Sequence, residues 1–404
     1  MDFLKAITAS EACRILDTFS LSPRTETVHI DNAYARVLAR DIVSSESIPA
    51  FARSLVDGYA VRSRDTQGAT ETNPLFLIRT GAVRIGEQAE GRISGGDCVY
   101  VSTGSMMPSG SNAVVMQEYA RQVTDGVEIT RTVYEGEHVC HEGEDIKEGV
   151  IVLEMGRKLT AFDLGVLAAL GQSSIPVYER PGIALISTGD EIVAVDEIPS
   201  PGKVRDINRY TVTALVEKTG ARCEFLGHVA DEIGEITEKL QSAGAYDMIL
   251  ISGGSSKGER DFITDSIEKL GGEILFHGIN IKPGKPTIFG RLLEKPIFGL
   301  PGHPASCAMV AVRFVAPLAT RLQGETRGQE ITTQGVLATN VPSSYGIEEY
   351  VPVRLERAAA GVSVVPIFSK SAVVSSLAHA AGYIIVPQGT EGLEKGETVE
   401  VYFF

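Results

Sequence analysis

Apolar positions recur at helical spacing near the start of the chain. There MDFLKAITASEACRILDTF predicts a short amphipathic helix. HIDNAYARVLARDIV (29–43) predicts a short helix running into a strand. From about 44 to 145 the pattern changes to short β-branched and apolar stretches cut by glycine and proline, among them FLIRTGAVRI, CVYVSTG, NAVVMQEY and VEITRTVY, which predict strands. Residues 146–178 return to helix, with LTAFDLGVLAALG ending at Gly171 as a C-terminal cap. Packing of this helix against the N-terminal one would make the β segment an insertion into a discontinuous helical domain, 1–43 with 146–178.

Residues 179–324 alternate strand and helix. GIALIST, CEFLGHV, DMILIS and PIFGL predict strands, the third of the continuous apolar kind covered on both faces. NRYTVTALVEKTG (closed by Gly220), DEIGEITEKLQSAG, DFITDSIEKLGG and the long apolar PASCAMVAVRFVAPLATRL predict helices. This alternation implies a parallel sheet with crossover helices. Residues 325–404 return to strands (ITTQGVLATNV, EYVPVRLER, VSVVPIF, GYIIVPQG, ETVEVYFF) and predict a small barrel or sandwich.

The 404 residues suffice for two to four domains, and 43% hydrophobic with 22% charged residues fits a globular chain. The net charge of −15 argues against general nucleic-acid binding, which wants a basic surface. An anionic substrate would then need local cations, backbone N–H groups or a metal. The five cysteines, at 13, 98, 140, 223 and 307, form no C-x-x-C pair. Their odd number argues against a disulfide framework and for a reducing compartment. No uninterrupted apolar run reaches the ~18 residues of a membrane span, and the N-terminus lacks a signal core. The expected location is cytoplasmic.

Ligands bind beyond the carboxyl ends of strands in an open parallel sheet, so the loops there matter most. After GIALIS comes Thr188-Gly189-Asp190-Glu191, which suits a metal or polar ligand as well as it suits a turn with solvated acids. After DMILIS comes Gly253-Gly254-Ser255-Ser256-Lys257-Gly258-Glu259-Arg260-Asp261, whose glycines allow an anion nest. It is no Walker loop, since Glu259 stands where that motif needs lysine. After PIFGL, Pro301-Gly302-His303-Pro304 opens the long helix and exposes free N–H groups. Lys282 and Lys285 flank a stiff Pro-Gly turn and suit phosphate or oxyanion contacts. Taken alone, Asp231 reads as a helix N-cap, Asp57-Gly58 as a hairpin turn, and His303 as a structural residue. Dispersed carboxylates, lysines and glycine-rich loops together suit Mg²⁺ and a phosphorylated ligand. The residues alone lead no further.

These motifs, taken in order, resemble the molybdopterin molybdenumtransferase family, known as MoeA in bacteria and as the gephyrin E-domain in animals. They are SLVDGYAV (54–61), STGSMMPSGSNAVVMQE (102–118), GED (143–145), STGDEI (187–192), RDINRY (205–210), SGGSSKGERDF (252–262), KPGKPTIFG (282–290) and GLPGHPAS (299–306). The resemblance runs essentially end to end and implies an α/β multidomain fold. The elongated subunit would have a helical domain (1–43 and 146–178), an inserted β domain (44–145), a molybdopterin-binding-type α/β domain (179–324) and a C-terminal β-barrel (325–404). It also implies a homodimer with the active site between subunits.

The implied reaction takes adenylylated molybdopterin and molybdate with Mg²⁺, hydrolyses the pyrophosphate link, releases AMP and puts the metal into the dithiolene. An adenylyltransferase partner would supply the substrate. Carried over by position, Asp57, Thr103, Asp145, Glu191, Asp231, Asp261 and Lys282 match residues important for activity. Gly253, Gly254, Ser255, Lys285, Pro301, Gly302, Arg354 and Ser371 are the implied substrate contacts, with Glu191 and Asp231 holding the cation. Asn112 departs from the family's usual aspartate.

Two other functions compete. A tungstate-preferring paralogue has the same residues, because the two oxyanions nearly match in size and charge. A non-catalytic pterin-binding or scaffold protein predicts loss of the cleft carboxylates, which are kept.

Overall fold

The computed structural model describes residues 6–19, 23–253, 262–326, 331–358, 361–368, 373 and 375–404. Helix α1, Ala9–Asp17, starts at a capping box formed by Thr8 and Glu11 and buries Ala9, Ala12 and Leu16. That narrow face does not meet the second helix, α2 (Ala161–Ala169), as the patterning suggested. It joins a core with Phe19, Ile183, Phe289 and Phe298 in the α/β unit. Phe19 meets Phe289 edge-on, with ring centroids 5.1 Å apart, and this contact anchors the segment there.

Helix α2 instead buries Leu167 in a separate core with Leu38, Ile175 and Val177. Short antiparallel pairs complete that core: Thr25–His29 with Ser174–Tyr178, and Ile42–Val43 with Ile151–Leu153. The helix expected within 29–43 is one 3-10 turn, Ile30–Asn32. The intervening segment folds a six-stranded sheet of its own from strands between Gly58 and Ile129. Its two faces bury separate clusters, one around Val61 and Val115, the other around Ala60 and Val114.

The α/β unit is built on β1 (Gly182–Thr188), β2 (Arg222–Val229), β3 (Met248–Ser252), β4 (Glu273–His277), β5 (Ile288–Leu292) and β6 (Lys295–Leu300). Their order in the sheet is β2-β1-β3-β6-β5-β4. The first four run parallel, but β5 and β4 pair antiparallel, so the sheet is mixed rather than all-parallel. Strict alternation feeds both faces. Ile183, Leu185, Met248 and Leu250 point to one core, while Ala184, Ile186, Ile249 and Ile251 point to the other. The first core is closed by α3 (Asn208–Thr219) and by α6 (Pro304–Leu322), which carries a π turn at Ala311–Val315. The second is closed by α4 (Ile233–Ser242) and α5 (Phe262–Lys269).

Among the described residues α6 is the one helix long and apolar enough to cross a membrane. Arg313 and Arg321 interrupt its apolar run, and its buried residues, from Cys307 to Leu322, belong to the sheet's core.

The C-terminal segment closes a five-stranded barrel from β7 (Thr332–Leu337), β8 (Glu348–Ala358), β9 (Gly361–Pro366), β10 (Gly382–Val386) and β11 (Thr398–Phe403). The ring runs β8-β9-β7-β11-β10 and back to β8.

Candidate functional site

Strand order reverses between β1 and β3, the switch point beyond whose carboxyl ends an open α/β sheet forms its ligand crevice. Thr188 ends β1 and is buried, and Gly189-Asp190-Glu191 follows it. Gly253 follows β3 at φ +115°, and a Cβ there would stand 2.2 Å from the Thr188 carbonyl oxygen. Only glycine fits at that close approach. The Gly253 N–H donates to the Leu300 carbonyl at the end of β6 at 3.3 Å, and a Cβ added at Gly302 would lie 3.9 Å from the Gly253 Cα. The turns after β1, β3 and β6 are thus in direct contact.

Asp231 enters the crevice from the end of β2. It is not the cap of α4: Glu232 holds that position and makes no side-chain cap bond. The Asp231 backbone N–H donates to Asp190 Oδ1 at 3.4 Å. Asp231 Oδ1 is buried with no hydrogen-bond partner among the described residues. Burial raises the Asp231 pKa above the usual aspartate value, and the charges of Asp190 and Glu191 add to this; the Thr188 hydroxyl and His228 oppose it. His228 Nε2 donates to the Gly189 carbonyl at 2.8 Å and so fixes the turn that presents the acids. Three carboxylates that repel one another, one with an unsatisfied oxygen, fit a divalent cation taking one or two protein carboxylates. No group of three His, Cys, Asp or Glu side chains forms a metal cage among the described residues.

Sequence patterning missed the groups beneath the crevice. Asn208, the first residue of α3, donates from Nδ2 to Ser252 Oγ at 2.8 Å and to the Gly302 carbonyl at 2.9 Å. Asp206 accepts the Arg209 N–H at 3.0 Å through Oδ1. Both residues lie in the RDINRY motif, which was the available signal.

Lys282, Lys285, Pro301 and Gly302 line a cleft of about 840 Å³ between the α/β unit and the barrel. Lys282 Nζ lies 2.8 Å from Glu349 Oε1 of the barrel. His303 occupies the N-cap position of α6, makes no side-chain cap bond, and also faces the cleft. Arg354 lies further along β8, outside the cleft lining, with its guanidinium 3.9 Å from Glu356. Gly254, Ser255, Asp261 and Ser371 lie outside the described residues.

Asp57 and Thr103 meet in the intervening β sheet. The Thr103 N–H donates to Asp57 Oδ1 at 2.7 Å and its hydroxyl to the same oxygen at 3.1 Å. Gly58 is required behind them, since a Cβ there would stand 2.1 Å from the Val115 carbonyl oxygen. Asn112 braces the same sheet: its Oδ1 accepts the Ser63 N–H at 2.7 Å, a bond an aspartate would make equally well. The Asp145 N–H donates to the Ile48 carbonyl at 3.1 Å, and Asp145 is exposed. No hydrogen bond or ion pair among the described residues joins Asp57, Thr103 or Asp145 to the crevice loops.

Comparisons with known proteins cover nearly the whole chain. Three family descriptions match in order: the MoeA N-terminal region (domain I and II) over residues 7–171, the "Probable molybdopterin binding domain" over 184–321, and the MoeA C-terminal region (domain IV) over 334–404. A molybdopterin molybdenumtransferase of Bacillus subtilis is 32% identical over 402 residues, covering 98% of this chain and 93% of that protein. One of Staphylococcus epidermidis is 28% identical, covering 98% and 95%. The crystal structure of the molybdopterin biosynthesis MoeA protein from Pyrococcus horikoshii OT3 matches with a TM-score of 0.87 at 32% identity, over 99% of this chain and 100% of that one.

Proposed function

The chain belongs to the molybdopterin molybdenumtransferase family, and from that membership we propose that it inserts molybdate into adenylylated molybdopterin with release of AMP. As a member it is an enzyme of molybdenum-cofactor biosynthesis. The observation that carries the finer step is the contact chain Thr188–Gly253–Gly302. It joins a crevice of three carboxylates to a cleft edged by two lysines.

Each end has its own chemistry. Gly253, Gly254 and Ser255 are the proposed phosphate contacts, the Gly253 N–H itself donating to the Leu300 carbonyl at 3.3 Å. Glu191 and Asp231 are the groups to hold Mg²⁺, which when bound neutralises phosphate oxygens and polarises the bond to be cut. Asp190 flanks that position and orders the water that hydrolyses the pyrophosphate link, and Asp261 is a further proposed catalytic residue. Lys282 and Lys285 bind the oxyanion, with Pro301 and Gly302 shaping the wall. Charge placed in advance where charge develops is usually the largest catalytic term.

Asp57, Thr103 and Asp145 have no link to the crevice of their own chain among the described residues. This supports a homodimer in which each subunit's Asp57–Thr103 pair closes the other subunit's crevice. The same reading divides the chain into 1–43 with 146–178, 44–145, 179–324 and 325–404, with α1 of the first segment docked on the α/β unit. It places the enzyme in the cytoplasm, where its five free cysteines stay reduced, and gives it an adenylyltransferase as supplier.

The test is to incubate the protein with adenylylated molybdopterin, Mg²⁺ and either molybdate or tungstate, and to quantify AMP. Oxyanion-dependent release is the expected result, and the lower half-saturating oxyanion names the metal. Tight pterin binding without AMP release under either oxyanion favours a non-catalytic pterin-binding protein.

A further inference from the structure

We propose that Glu349 is a built-in counter-ion that competes with the incoming oxyanion for Lys282 and thereby sets how tightly the enzyme holds molybdate or tungstate. This rests on the reading of Lys282 as an oxyanion contact. The pairing is written into the backbone. Ile281–Lys282 runs parallel to β8 with Lys282 opposite Glu349, and the Glu348 N–H donates to the Asn280 carbonyl at 3.0 Å. The side chains then meet at 2.8 Å.

The two partners are unequal. The Glu349 side chain is 13% exposed, and its second oxygen accepts from Ser343 Oγ at 2.8 Å. The Lys282 side chain is 60% exposed. Lys282 is therefore the partner free to turn, and Glu349 stays where it is. Both line the cleft of about 840 Å³. With the cleft empty, the pair is close to neutral and offers little to singly charged anions. A dianion draws Lys282 away because its charge is larger, but only by breaking the ion pair with Glu349, and that loss is subtracted from the binding. Glu349 thus lowers oxyanion affinity and leaves Lys282 a partner to return to when the oxyanion has gone.

The test is calorimetric titration of the full-length protein with molybdate, without pterin. Glu349→Gln should bind about tenfold tighter, the scale of one removed charge contact. Ser343→Ala, which loosens the anchor of Glu349, should tighten binding by a smaller factor. Lys282→Ala should weaken binding, and adding Glu349→Gln to it should recover nothing. Equal or weaker binding by Glu349→Gln overturns the proposal, and so does a gain that persists without Lys282. Wild-type protein that releases AMP yet binds no free molybdate removes the counter-ion role and leaves the enzyme reading standing. Protein that does neither removes both.

Discussion

Asn208 Nδ2 stands 2.9 Å from the Gly302 carbonyl oxygen and 2.8 Å from Ser252 Oγ, so a single side chain ties the ends of β3 and β6 together. Those ends carry the turns of Gly253 and Gly302. A bond spanning 94 positions of chain at 8% exposure is a strong constraint on how the turns sit.

Asn208→Ala should lower stability by about 1–3 kcal/mol, the cost of leaving buried partners unpaired. It should also raise the KM for adenylylated molybdopterin more than it lowers kcat, because the turns lose their register. Asn208→Asp keeps the shape but turns an acceptor toward the Gly302 carbonyl, so its KM should rise further than that of the alanine variant. Steady-state kinetics with both variants check this. Wild-type KM in Asn208→Asp would show that the tie is idle.

Asp231 has its pKa raised by burial and by Asp190 and Glu191. Below the ordinary carboxylate range it is protonated in both folded and unfolded chains and costs nothing. As pH rises through that range the unfolded chain loses the proton first, so the native state loses stability until Asp231 itself ionises. Asp231→Asn should therefore unfold roughly 2–4 °C higher at neutral pH and show no gain in acid, while AMP release falls steeply. Thermal unfolding across pH measures the gap. A variant less stable than wild type at neutral pH would mean that the aspartate serves the fold and not the reaction.

The separation of the Asp57–Thr103 pair from the crevice makes a different kind of prediction. Asp57→Ala and Glu191→Gln, each prepared alone, should fold and release almost no AMP. After mixing and subunit exchange, half the dimers are mixed, and each mixed dimer has one crevice with neither lesion. Activity should then return to roughly a quarter of wild type, as two-fold symmetry requires. Mixtures as inactive as the parents would place both residues in the same site of one chain.

Much of this was legible in the chain, for identifiable reasons. Continuous apolar runs such as Met248–Ser252 mark buried parallel strands, and Gly220, at φ +104°, ends α3 where the patterning put it. Strands Glu273–His277 and Ile288–Leu292 were hidden because one follows a glycine pair and the other sits behind the Pro-Gly-Lys-Pro turn. The docking of α1 was hidden because its buried face is small and matches many partners; the Phe19–Phe289 ring contact, 270 positions apart, decides it. The motif acids were visible as residues, but their relations were not. Thr103 bonds to Asp57 across 46 positions, and the meeting of Asp231 with Asp190 depends on the order of strands in the sheet.

Breaking the pyrophosphate link and loading the metal are proposed to be one coupled event in this site. The direct measurement counts AMP released and metal bound to the recovered pterin in the same reaction, with and without molybdate. The expected result is one metal per AMP, neither without oxyanion, and neither with Glu191→Gln. AMP release that proceeds equally without molybdate, or pterin that stays adenylylated when every component is present, would contradict it.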